Sequence, residues 1–137
     1  MEDQAERQSR IEDAVAPRVI EGEQRTALVN TLKVGAKGDV GIVSVAGDRE
    51  SLDFAHQIQQ ILKDSGWCVC SFTPTPFSPA NPVGLLMRVK EKGVEPPRAI
   101  SVQRAFESVG IEVSTEEDPG LAEDALVLVV GVKPTSE

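Results

Sequence analysis

Residues 38–72, GDVGIVSVAGDRESLDFAHQIQQILKDSGWCVCSF, decide the fold. Val40-Gly-Ile-Val-Ser-Val45 is a short, nearly continuous apolar run, the pattern of a strand covered on both faces. Gly47 ends it. Asp48 then stands where a helix N-cap belongs, its carboxylate able to accept from the free N–H groups of the first turn. Leu52, Phe54, Ala55, Ile58, Ile61 and Leu62 recur at three- and four-residue spacing and form one apolar stripe. Arg49, Asp53, Gln57, Gln60, Lys63 and Asp64 fill the other side. Gly66 suits the left-handed conformation that ends a helix. Beyond it Trp67, Val69 and Ser71 alternate with Cys68, Cys70 and Phe72, as in a second strand. A right-handed crossover lays that strand parallel to the first.

Upstream, residues 1–18 are polar and mixed in charge, which predicts a flexible leader or frayed helix before a single domain over 19–135. Glu21–Lys33 reads as a short helix with Ala27, Leu28, Thr31 and Leu32 on one side, packed on the sheet edge or face. Downstream, Thr73–Pro82 carries four prolines and reads as an extended surface loop, since proline cannot donate to a ladder. Val83–Val89 is a third, apolar strand. The Pro96-Pro97 pair opens a second long helix that runs to about Val109, with Ala99, Val102, Ala105, Phe106 and Val109 in its stripe and Gly110 as its stop. Ile111–Thr115 alternates like a half-exposed strand, and Glu116–Gly120 reads as an acidic turn. Ala125–Val132 is the most apolar segment and predicts an interior strand.

Sliding the chain over itself puts Ala55 on Ala99, Ile58 on Val102, Leu62 on Phe106 and Gly66 on Gly110. Each half is therefore a strand, a helix, a glycine stop and a strand. The fold class that follows is α/β, a single mixed sheet of about five strands built from two βαβ-type halves, in two or three layers, plus an N-terminal helix. The amphipathic strands suit the edges and the apolar ones the centre. In chain order the preferred arrangement is 2-1-3-5-4, with the fifth strand antiparallel. The rival puts the fifth strand at the edge, beside the fourth. An apolar edge strand invites pairing between chains, which argues for a homodimer.

A chain of 137 residues has room for one domain with a real core and hardly for two. Its net charge of −8 argues against nucleic acid and against an anionic membrane surface as partners. No run approaches the roughly 20 apolar residues of a membrane span, and Met1–Arg10 is too charged for a secretory signal. The expectation is a cytoplasmic chain without direct membrane contact; the alternative is a membrane-associated domain excised from a longer protein. Cys68 and Cys70 fall two apart in a predicted strand, about 6.5–7 Å between side chains, at or beyond disulfide reach. They are read as buried small hydrophobes.

Two places compete as ligand sites. Gly47, Asp48 and Arg49 lie at the carboxyl end of the first strand, where open α/β sheets usually bind ligands, although a helix cap explains them without one. The proline loop ends in Asn81-Pro-Val-Gly84, where Asn81 and Gly84 are the candidate binding residues and a stiff connector is the plainer reading. A nucleotide fingerprint is missing at both. His56, the single histidine, sits mid-helix among polar residues, so no nucleophile–base pair is expected. Glu116, Glu117 and Asp118 lack the spacing of a calcium loop. Trp67 is expected between helix and sheet. No catalytic residue, metal or cofactor is assigned.

Several short pieces are shared with a known family: Glu23-Gln24 before Leu28 and Leu32, Val45–Asp48 with Ala55, Gly66-Trp67, Asn81–Gly84, Gly110-Ile111 and Val127–Pro134. Over roughly residues 18–134 the chain resembles the soluble C-terminal domain of an uncharacterised bacterial family whose globular part follows a short membrane anchor. That resemblance implies an excised cytosolic or periplasmic domain and carries over no functional residue. Two functions follow as expectations. One is a non-catalytic interaction or sensor module with a protein partner or a second copy. The other is a small-molecule or nucleotide binder, or an enzyme, at the carboxyl edge of the sheet.

Overall fold

The computed structural model describes residues 18–35, 37–78, 80–122 and 124–133. Within them the chain runs α1 (Gly22–Val34), β1 (Asp39–Val45), α2 (Arg49–Asp64), β2 (Cys68–Thr75), β3 (Leu85–Val89), α3 (Pro97–Ser108), β4 (Val113–Glu117) and β5 (Val127–Val130). The five strands form one mixed sheet in the order β2-β1-β5-β3-β4. β1 is parallel to both β2 and β5, β3 is parallel to β4, and β5 meets β3 antiparallel. This is the α/β class expected from the sequence, two βαβ halves and a preceding helix. The predicted polar leader, apart from Arg18, lies outside the described residues.

The two halves close their helices alike. Gly66 and Gly110 both hold φ near +85 to +89, and Trp67 N–H and Ile111 N–H each reach back to Leu62 O and Phe106 O at 2.9 Å. That bond across the turn is what a glycine in the left-handed conformation permits.

Strand order corrects the expectation. β5 inserts between β1 and β3, not between the third and fourth strands and not at an edge. The physical reason is adjacency. The second crossover keeps β3 and β4 as neighbours, and the only fully interior place left is the seam between the halves. There the most apolar strand is covered on both sides: Leu128 and Val130 are buried in the core, and Val129, facing the other way, is 1% exposed. Both edges are the amphipathic strands, so the edge-pairing ground for a homodimer falls away.

One hydrophobic core takes Leu28 and Leu32 from α1, Phe54 and Ile58 from α2, and Val102 and Phe106 from α3 against alternate strand residues such as Ile42, Met87 and Leu128. The helices therefore share one face, and the domain has two layers. Each such side chain contributes about 1.5–3 kcal/mol on burial. α1 packs against α2 and α3, bridging them, where the sequence suggested the sheet; Ala27 of its expected stripe is exposed. Trp67 is buried as expected, and its indole N–H donates to Leu32 O at 3.3 Å.

Two strands run further than expected. β2 continues through Pro74 to Thr75, because an edge strand leaves one side of its backbone free of ladder bonds. β4 takes in Glu116 and Glu117 of the expected acidic turn, and Glu116 pairs with Arg88 of β3 at 2.9 Å. The proline segment that follows β2 brings the Phe77 ring within 5.9 Å of the Arg88 guanidinium carbon.

Cys68 and Cys70 are both free and exposed, not buried. β2 has one neighbour, and its register slips so that Val69 faces Val40 while Ser71 faces Gly41. Cys70 is the extra residue of that bulge, its thiol lying 3.4 Å from Val40 O. Both thiols of the native protein are therefore expected to react with an aromatic disulfide reagent as fast as they do after unfolding. A native count below two thiols per chain contradicts the placement.

Candidate functional site

The carboxyl end of β1 passes into α2 through Val45-Ala-Gly-Asp48. Ala46 N–H bonds Thr75 O at 2.9 Å, Gly47 takes φ +85, and Asp48 N–H bonds Val45 O at 3.1 Å. The Asp48 carboxylate caps α2 by accepting from Ser51 N–H at 3.0 Å, an interaction that contributes about 1 kcal/mol. The buried Ser51 hydroxyl accepts from Val45 N–H at 2.9 Å and donates to Val130 O at 2.7 Å. This bolts the first turn of the helix to two central strands.

A cavity of about 380 Å³ opens at this turn, within the usual range for small-molecule sites. Ser44, Gly47, Asp48 and Arg49 line it from the strand end and the turn, together with Leu52, Asp53 and His56 of α2 and Pro74 of β2. His56 is held by a stacked contact with Phe72, 4.6 Å between centroids and 15° between planes. Arg49 is 93% exposed and meets Asp53 only at 3.9 Å, a weak pair that leaves both groups available.

Ser44 is completely buried, yet its hydroxyl has no hydrogen-bond partner among the described residues. Such a group costs about 1–3 kcal/mol when left unsatisfied. The N–H groups of Gly47, Arg49 and Glu50 likewise meet no acceptor among the described residues. Those of Arg49 and Glu50 belong to the open donors that every helix start presents.

Of the residues singled out in the sequence, Gly47, Asp48 and Arg49 come together here. Asn81 and Gly84 do not join them. Asn81 is exposed and borders neither this cavity nor the next, while Gly84 lines the next cavity and belongs to a backbone lock at the end of β5. There Gly131 N–H bonds Gly84 O at 2.8 Å, Val132 N–H bonds Pro82 O at 2.9 Å, and Gly84 N–H bonds Val132 O at 2.9 Å.

Next to that lock the chain before α1 is clamped onto α2. The Arg18 guanidinium donates to Glu50 Oε2 at 2.8 Å, to Glu50 Oε1 at 2.6 Å and to Gly131 O at 2.7 Å, and it lies 4.4 Å above the Phe54 ring. Gln57 completes the clamp through Ile20 N–H and Arg18 O. Burial pushes the Glu50 carboxyl upward; the hydrogen bonds and charge of Arg18, with the charge of Lys133, outweigh it and hold the group below its ordinary value. A second cavity, about 420 Å³, lies between this clamp and the starts of β3 and β4, with Ile20, Phe54 and Leu85 among its walls.

Sequence reasoning missed Ser44, Ser51, Arg18 and Glu50. Ser44 left a signal, as the one polar residue inside Val40–Val45, and Ser51 interrupts the polar first turn on the side of the stripe. Arg18 and Glu50 left none, being 32 residues apart. No helix among the described residues is long and apolar enough to cross a membrane. No protein-family model, curated protein or solved structure matches this chain.

Proposed function

We propose that the chain is a non-catalytic sensor module that binds a small polar ligand in the cavity at the start of α2, as the globular part of a membrane-anchored parent. The observation that carries this reading is a cavity at the carboxyl edge of the sheet, walled by the Gly47–Arg49 turn, Asp53 and His56, the place where open α/β sheets usually bind ligands.

A thermal-shift screen of nucleotides, metals and metabolites tests it. A ligand at a hundred times its Kd is expected to add about 2.7 kcal/mol, a rise of several degrees. Arg49→Gln and Asp53→Asn, both at exposed positions, are expected to leave the unliganded midpoint nearly unchanged and to weaken the ligand's shift. A shift that both variants leave intact, or a screen in which nothing raises the wild-type midpoint, overturns the reading.

A further inference from the structure

We infer that the cavity between the Arg18 clamp and the starts of β3 and β4 receives a basic, extended peptide segment of a partner protein. The segment lies along the free edge of β4 and sets an apolar side chain in the cavity. This surface is separate from the ligand cavity at the start of α2 and stands without it. Five large apolar side chains are exposed among the described residues, and two of them, Val19 and Val83, border this one cavity at 50% and 58% exposure. Ile20, Phe54, Leu85 and Ile111 complete its apolar lining. Exposed apolar side chains that converge on an apolar depression mark a binding surface.

The polar groups around the cavity decide what binds. The Arg18 guanidinium is committed to both Glu50 oxygens and to Gly131 O, and the Gln24 amide donates to Val109 O at 3.0 Å. An anionic small molecule therefore finds no free cation here. Two carboxylates stay open: Glu112 borders the cavity, and Glu107 stands beside it on a depression that shares Gly110, Ile111 and Glu112. Both are exposed, and neither has a cationic partner among the described residues.

β4 also borders the cavity, through Ser114, and has β3 as its single neighbour. Asp118 N–H bonds Val89 O on the β3 side, so alternation along the ladder turns the main-chain N–H and C=O of Thr115 and Glu117 outward. On that outer side Gln103 covers Val113 O, at 3.3 Å. An open strand edge with an apolar depression at its start binds an extended chain by strand addition: the main chain gives affinity and the side-chain pocket gives specificity. Glu107 and Glu112 set the sign of the partner's charge, and a net charge of −8 steers cations toward the chain. The same carboxylates disfavour a second copy, because β4 laid on β4 brings Glu112, Glu116 and Glu117 of both chains together.

The test selects peptides from a random displayed library on the full chain and titrates the enriched sequences into ¹⁵N-labelled protein. Enriched peptides are expected to carry Lys or Arg close to an aliphatic or aromatic residue, and to shift the amides of Val83, Gly84, Ile111 and Thr115. Glu112→Lys is expected to weaken binding about fivefold or more. Glu91→Lys, the same charge change in the exposed turn after β3, is expected to leave it nearly unchanged. Val83→Asp is expected to abolish most of the binding. All three positions are exposed, so the variants keep the fold.

The inference is overturned if nothing is enriched, if the enriched peptides lack a basic residue or shift amides elsewhere, or if the two lysine variants bind alike. A dimer of the chain alone that Val83→Asp disperses makes this face a contact between copies. Ile11→Asp shifting the same amides with no peptide present makes the chain's own preceding residues the occupant. Either result also overturns it.

Discussion

Gly131→Ala is expected to lower the unfolding free energy by about 3–5 kcal/mol, at the severe end for a single substitution. A Cβ on Gly131 would stand 2.4 Å from Pro82 O, 2.6 Å from Pro82 C and 2.9 Å from Gly84 O. All three are backbone atoms, and both oxygens accept bonds from residues 131 and 132 themselves. The crowding cannot be relieved by turning a side chain. It requires opening the lock that joins the end of β5 to the start of β3. In a domain of this size the midpoint should fall by roughly 10–20 °C. Gly38→Ala is the control: its Cβ would meet Arg98 Cδ at 2.9 Å, the stem of a long side chain that can swing away. If chemical denaturation shows the two variants equally stable, the close approach at Gly131 is absent.

Glu50→Gln is expected to cost about 2 kcal/mol, and to change how stability depends on pH. Arg18 and Glu50 are 15% and 21% exposed, so the pair is shielded enough to matter, though less than a fully buried pair, whose disruption costs about 3–5 kcal/mol. The glutamine keeps the shape but leaves the Arg18 charge facing neutral atoms and Gly131 O. The folded-state pKa of Glu50 lies below its ordinary value of 4.5. Between the two values the unfolded chain binds more protons than the folded one, so stability rises with pH there. The contribution is complete above the unfolded pKa and is lost as pH falls through the folded one. Denaturant midpoints measured from neutral pH down through the carboxylate range should show a shallower acid limb for Glu50→Gln than for the wild type. Parallel curves would mean that Glu50 does not contribute to the acid limb.

Both effects depend on contacts between distant parts of the chain, and neither could be read from the sequence. Gly131 looked like any glycine in an apolar run, and Arg18 like the last residue of a polar leader. The candidate site was legible in part. Gly47 and Asp48 were found because a strand end, a glycine and a capping residue are consecutive, and Asp48 makes the bond its position predicts. The competing candidates Asn81 and Gly84 rest on a long proline loop alone, and topology places Gly84 in the β5 lock. The cysteines are exposed against expectation because alternation says which side chains share a face, but not whether a neighbouring strand exists to cover them.

By itself the sequence determined both βαβ units, their stops at Gly66 and Gly110, the edge character of β2 and β4, and the interior character of β5. These follow from spacings of one to five residues, which backbone geometry converts directly into faces and caps. The tertiary structure alone decided that β5 enters the seam between the halves, that Arg18 reaches Glu50 and Gly131, and that Ser44 is buried without a partner beside a cavity. Each joins residues whose sequence separation carries no periodic signal, and each is settled by which backbone and side-chain groups the assembled sheet leaves unsatisfied.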